Sequence, residues 1–98
     1  MDVEFNDDSL DALETDPGAT SGFSQGIVKA FRRRMQQFRA AEDERDFYAL
    51  KSLHFEKLRG SRREEYSMRL NDQYRLILRL EGRASNKTVR IISIEDYH

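Results

Sequence analysis

Two histidines, a tyrosine beside the second of them and a concentration of arginine are the residues here whose types suit chemistry on a phosphate. His54 and His98 are the only side chains with an unperturbed pKa near neutrality. Tyr97 can donate a proton, and Lys57, Arg59, Arg69 and Arg75 are cations able to meet phosphate oxygens. Between positions 57 and 79 the chain carries Lys57, Arg59, Arg62, Arg63, Arg69, Arg75 and Arg79 against only Glu64, Glu65 and Asp72. Arginine dominates that set, and its planar fork matches phosphate better than the point charge of lysine does. A solvated surface would give the same counts, so composition leaves both readings open. With no cysteine, disulfides, thiolate metal sites and a cysteine nucleophile are excluded, and two histidines would need carboxylates to complete a zinc site. Neither a metal nor a cofactor is expected.

The elements that must hold these groups fit into little chain. Ninety-eight residues suit one domain, residues 1–98, with a modest core. Charged residues make up 36%, well above the usual quarter. No apolar run approaches the roughly 18 residues that span a bilayer, and Asp2 and Glu4 stand where a secretory signal would be basic and then apolar. A cytoplasmic protein without membrane contact is the expectation. The net charge of −1 hides an asymmetry: residues 1–16 hold seven acids and no basic side chain, leaving 17 basic against 11 acidic groups in residues 17–98.

Val3-Glu4-Phe5 alternates like a short strand. Asn6, Asp7 and Asp8 then offer N-caps to a helix over residues 9–14, which Pro17-Gly18 stops. Ser24 can cap a longer helix of about 17–20 residues whose stripe is Ile27, Phe31, Met35 and Phe38. That stripe reads as core. Residues 46–50 suit a short helical turn. After Gly60 the period changes to 2: Tyr66, Met68 and Leu70 alternate with polar residues, and Tyr74, Leu76, Leu78 and Leu80 alternate with Arg75, Ile77 and Arg79. A last β-rich run, residues 88–94, is apolar on both faces and suits an interior strand. The expected fold is α+β, in the order β-α-α-β-β-β, with a mostly antiparallel sheet packed against two helices.

Parity sharpens the hairpin. Matching its two apolar faces requires an odd loop, most simply residues 71–73, which pairs Leu70 with Tyr74 and Met68 with Leu76. Arg69 then faces Arg75. Like charges directly across a ladder are destabilising, so this pair asks either for an anion such as phosphate or for nearby carboxylates such as Asp72, Glu81 or Asp96.

Lys57-Leu58-Arg59-Gly60, the hairpin Tyr66-Ser67-Met68-Arg69-Leu70-Asn71-Asp72-Gln73-Tyr74-Arg75-Leu76 and the ending Glu95-Asp96-Tyr97-His98 resemble the HigB branch of the RelE/ParE superfamily. The resemblance follows the whole chain in element order and is densest over residues 53–80 and 94–98. It implies a compact RelE-like fold and a type II toxin that enters the ribosomal A site and cleaves mRNA. A HigA-like helix-turn-helix antitoxin would hold it inactive, and operator DNA would be met only through that complex. By resemblance, Arg59 falls on the basic residue before the turn, Arg75 on the arginine after the hairpin aromatic, and Asp96, Tyr97 and His98 on the functional tail. His54 lies before the turn at a longer spacing than the family pattern, and the acidic first segment also departs from the basic family norm.

Cleaving RNA through its own 2′-hydroxyl takes a base, cations for the pentacoordinate phosphate and an acid for the leaving 5′-oxygen, with no obligatory metal. Arg75 is the expected phosphate ligand, His98 the proton carrier and Asp96 an orienting group, with Lys57, Arg59, Arg62, Arg63 and Arg69 as further RNA contacts. Whether base and acid are His98 and Tyr97 or His54 and His98 stays open. Two other classes compete: a same-fold toxin acting on DNA gyrase, against which the tail argues, and a non-enzymatic nucleic-acid-binding or co-repressor subunit.

Overall fold

The computed structural model describes residues 1–83 and 86–97. Local rules set its helices. The Asp7 carboxylate accepts the Leu10 N–H at 3.0 Å and starts α1 (Asp8–Thr15), which buries Leu10 and Leu13. Ser24 Oγ accepts the Ile27 N–H at 3.3 Å and starts α2 (Gln25–Ala40), where the predicted stripe of Ile27, Phe31, Met35 and Phe38 is buried. Arg32 on α2 donates to the carbonyls of Leu13 and Asp16, satisfying the open end of α1. A third short helix, α3 (Arg45–Ala49), adds Phe47, whose ring meets Phe38 edge-on at 5.1 Å between centroids.

Among the described residues, five strands form one sheet: β1 (Asp2–Phe5), β2 (Glu56–Lys57), β3 (Glu65–Arg69), β4 (Tyr74–Glu81) and β5 (Thr88–Asp96), in the order β1-β5-β4-β3-β2. β1 and β5 run parallel, and the other neighbours antiparallel. The α+β class and the mostly antiparallel sheet are as expected, with β5 an interior strand. The short turn expected at residues 46–50 is α3, the structure adds β2 to the expected order, and β5 continues past Ile94 to Asp96, paired with Tyr74. β2 escaped the sequence pattern because two residues show no alternation.

The hairpin register matches the parity reading: Met68 pairs with Leu76 and Arg69 with Arg75. The Asn71 side-chain oxygen accepts the N–H groups of Gln73 and Tyr74 at 2.9 and 2.7 Å, which closes the loop. Along β4, Leu76 and Leu78 face the helices beside Met68, Val89 and Ile91 in the core, while Arg75, Ile77 and Arg79 face the other way.

β5 would lose this alternation but for a bulge. Ile77 pairs with Ser93 and Leu78 with Ile91, so Ile92 is an extra residue. The shift turns Ile94 toward Leu76 and places Glu95 opposite Arg75, and it explains a strand that reads as apolar on both faces.

Candidate active site

The face of the sheet away from the helices brings together three of the predicted residues, Arg75, Tyr97 and, through its backbone, His54. Arg75 lies at its centre, with only 11% of its side chain exposed. Its Nε donates to Ser67 Oγ at 2.8 Å, and one terminal nitrogen donates to the His54 carbonyl at 2.7 Å and reaches Glu56 Oε1 at 3.4 Å. Ser67, completely buried on β3, is the buried polar residue among those described, and it fixes the plane of the guanidinium. The Tyr97 ring lies over that guanidinium at 5.0 Å, a cation–π arrangement, with Tyr97 itself half exposed.

The tail reaches this position through the hairpin loop. The Tyr97 N–H donates to the Gln73 carbonyl at 2.8 Å, and Gln73 Nε2 donates to the Asp96 carboxylate at 2.9 Å. One loop residue thus sets the direction in which the chain leaves β5. His98, expected to carry a proton, lies outside the described residues.

His54 arrives from the other side. It ends a 3₁₀ turn (Lys51–Leu53) in the left-handed region, at φ 48°, an unusual conformation for a residue other than glycine. Its backbone carbonyl is on Arg75 and the residue is exposed. Phe55 is then buried, stacked on Tyr66 at 5.1 Å, and Glu56, opposite Ser67, belongs to the open face. Sequence reasoning missed Glu56, Ser67 and Gln73. The signal for Glu56 was its place beside a phenylalanine that must be buried, legible only once β2 is known to be a strand.

The remaining arginines are spread out. Arg69 pairs with Asp72, the carboxylate resolution of the facing arginines, while the carboxylate on Arg75 is Glu56 and none of those expected. Arg62 follows Gly60, whose φ of 70° turns the chain, and its guanidinium lies between Glu65 and Glu95. These contacts push the Arg62 pKa up and hold the Glu95 carboxyl below the usual carboxylate range. Arg59 and Arg63 are exposed on either side of that turn. Lys57 is not brought to Arg75: it pairs with Tyr66, and its ammonium lies 5.9 Å from that ring.

Arg75 and Ser67 are largely covered, while Glu56 and Tyr97 beside them are about half exposed. A cleft of about 440 Å³ lies between β1 and α1, lined by acids that include Asp7, Asp8, Asp11 and Glu14, and it contains none of the predicted site residues. No group of three or more histidine and carboxylate side chains among the described residues is arranged to hold a metal ion. Among them too, no helix is long and apolar enough to cross a membrane.

Residues 3–98 match the family model for the RelE-like toxin of type II toxin-antitoxin system HigB. Among solved structures, the chain is similar to the YoeB/ParE toxin from Agrobacterium tumefaciens, at 15% identity with all of both chains covered and a TM-score of 0.66. It is also similar to YafQ from E. coli strain BL21(DE3), at 10% identity over 98% of this chain and 92% of that one, with a TM-score of 0.56. A histidine-to-glutamine mutant of E. coli YafQ gives 11% identity, the same coverage and a TM-score of 0.55. At these identities the likeness speaks for the fold. No curated protein matches significantly.

Proposed function

The chain belongs to the RelE-like toxins of type II toxin–antitoxin system HigB, and from that premise we propose that it is an endoribonuclease that cleaves mRNA in the ribosomal A site and so stops translation. Membership of a type II family implies an antitoxin partner. We take that partner to be a HigA-like helix-turn-helix protein, through which alone the toxin would meet operator DNA. The reading treats residues 1–98 as one toxin domain that works in the cytoplasm.

The observation that carries the reading is Arg75, fixed by Ser67 and the His54 carbonyl with a carboxylate and a phenol against it. A guanidinium held this way can bind the scissile phosphate without first losing side-chain freedom, which makes it a preorganised donor for the charge that develops on that phosphate. Glu56 Oε1, 3.4 Å from the guanidinium and 57% exposed on its side chain, suits the base that takes the 2′-proton. Tyr97 and His98 then suit the acid that protonates the 5′-oxygen. Asp96 orients the tail through Gln73. His54 supplies a backbone oxygen, and Arg59, Arg62, Arg63 and Arg69 border the face along which RNA would run. Lys57, on the side of Tyr66, is the weakest of the proposed RNA contacts. All of this uses RNA's own 2′-hydroxyl and calls for no metal or cofactor.

With Glu56 and Tyr97 about half exposed, the site gives an RNA chain few walls to rest against. The ribosome would contribute the orientation that the site lacks.

The test is cleavage of one mRNA on translating ribosomes and free in solution. Cutting is expected on the ribosome and scarcely off it. Arg75→Ala should slow ribosome-bound cleavage by about 10²–10³, the usual loss for one transition-state donor, with an unchanged circular dichroism spectrum. Efficient cutting of naked RNA would defeat ribosome dependence. Full activity in Arg75→Ala would defeat the site, and inhibition of DNA gyrase without RNA cleavage would favour the gyrase-type reading.

A further inference from the structure

The charges on the open face nearest Arg75 are paired, and one of the pairings is not the one that strand register favours. Glu95 on β5 is the cross-strand partner of Arg75 on β4. Opposite charges at such a position ordinarily attract and pair. Here both Glu95 oxygens instead accept from Arg62, at 2.9 and 2.7 Å, and one also accepts from Ser93 Oγ at 2.7 Å. The Arg62 Nε donates at 2.7 Å to Glu65 on β3. Because β4 lies between β3 and β5, a guanidinium bonded to both flanking strands must cross β4. Glu65 is level with Arg79 and Glu95 with Arg75, so the crossing falls over Ile77, which is buried although it faces away from the helices.

From this arrangement we infer that Arg62 is a positioning residue that holds Glu95 away from Arg75 and so keeps the phosphate-binding guanidinium from being neutralised by its own strand neighbour. The inference rests on the proposed role of Arg75. It revises what Arg62 does: its fork is filled by two carboxylates, and it acts on RNA through Glu95. A carboxylate on Arg75 competes with phosphate for the same N–H groups and cancels the charge that attracts it. Arg62 occupies Glu95 with two parallel hydrogen bonds, a geometry that a lysine could not reproduce. Glu56 also touches Arg75, but through one oxygen at 3.4 Å, a contact that leaves room for the substrate.

The experiment is single-turnover cleavage on programmed ribosomes with four forms of the full chain: wild type, Arg62→Met, Glu95→Gln and the double variant. Methionine keeps an apolar stem over Ile77 while removing the fork. Arg62→Met should lose about tenfold, within the coupling range of neighbouring charged residues. Glu95→Gln alone should cleave at the wild-type rate, and the double variant should return to within about threefold of it, because a neutral amide no longer competes for Arg75. Should Arg62→Met fail to fold, Ser93→Ala with and without Glu95→Gln repeats the comparison: removing the hydroxyl loosens Glu95, and the expected loss of about threefold should again vanish with Glu95→Gln. A loss that Glu95→Gln leaves in place overturns the inference and makes Arg62 a direct RNA contact or a prop for its turn. No loss in either Arg62→Met or Ser93→Ala overturns it too. Arg75→Ala in the same assay separates the two levels: if it cleaves normally, the reading of Arg75 has failed, whereas a disabled Arg75→Ala beside an unrescued Arg62→Met sinks the role of Arg62 alone.

Discussion

The two faces of the central sheet are made of the same three strands and share almost nothing else. Toward the helices, Met68, Leu70, Leu76, Leu78, Val89 and Ile91 are buried against α1 and α2. Away from them, Arg62 pairs with Glu65 and Glu95 and Arg79 with Glu65 beside Ser67 and Arg75, while a separate set, Arg90 with Glu81 and Glu4, lies farther along the sheet. One residue of chain separates a side chain of one kind from a side chain of the other. The first face gains its stability from apolar burial, at about 25 cal/mol per Å². The second gains little, since exposed ion pairs contribute at most about 1 kcal/mol each. In the function proposed above, its pairs decide which cations are held by carboxylates and which one meets the substrate.

The sharpest way to break this comparison is at Tyr97, whose ring lies over Arg75 on the second face. Removal of Tyr97 and His98 should cost about 10²–10⁴ in single-turnover cleavage, the worth of a placed proton donor. Strand β5 pairs through Asp96, so far-ultraviolet circular dichroism and antitoxin binding should be unchanged. Cleavage within a few-fold of wild type would remove the tail from the site and leave Glu56 and His54 to carry the proton transfers.

A second test sets Arg75 against its neighbour. Leu76 is completely buried, and Leu76→Ala should lower stability by about 2–5 kcal/mol in chemical denaturation. In a domain of this size that is a large part of the total of roughly 5–15 kcal/mol. The fraction still folded should cleave at close to the wild-type rate, the reverse of Arg75→Ala. If both variants lose activity and stability together, the two faces are not separable.

The smallest effect is on pH. Arg62 holds Glu95 below the ordinary carboxylate range, and Lys87 does the same to Glu44. Arg45 takes the exposed Asp43 down to about 2. A carboxyl with a depressed folded pKa stabilises the fold above its unfolded pKa, and that stabilisation is lost as pH falls through the folded value. The melting temperature should therefore be level above about pH 5 and decline between about pH 4 and 2. Glu95→Gln should flatten part of that decline, by an amount limited by solvent screening of an ion pair that is partly exposed.

The sequence determined the cap and stripe of α2, the hairpin with Arg69 opposite Arg75, and the interior place of β5, and it narrowed the cap of α1 to Asn6, Asp7 or Asp8. Each follows from period or parity within one segment, because side chains alternate strictly along a strand and recur every third or fourth residue along a helix. It also named Arg75 and Tyr97, which the fold brings together. Only the tertiary structure decided what surrounds them. Glu56 joins the site through a two-residue strand too short to show a period, and Ser67 and Gln73 matter through partners distant in the chain. Glu95 reaches the open face through the bulge at Ile92, one inserted residue that reverses every side chain after it. Which carboxylate pairs with which arginine is likewise a contest among groups drawn from β2, β3, β5 and the turn after Gly60. Distance in folded space settles it, and no spacing in the sequence records that distance.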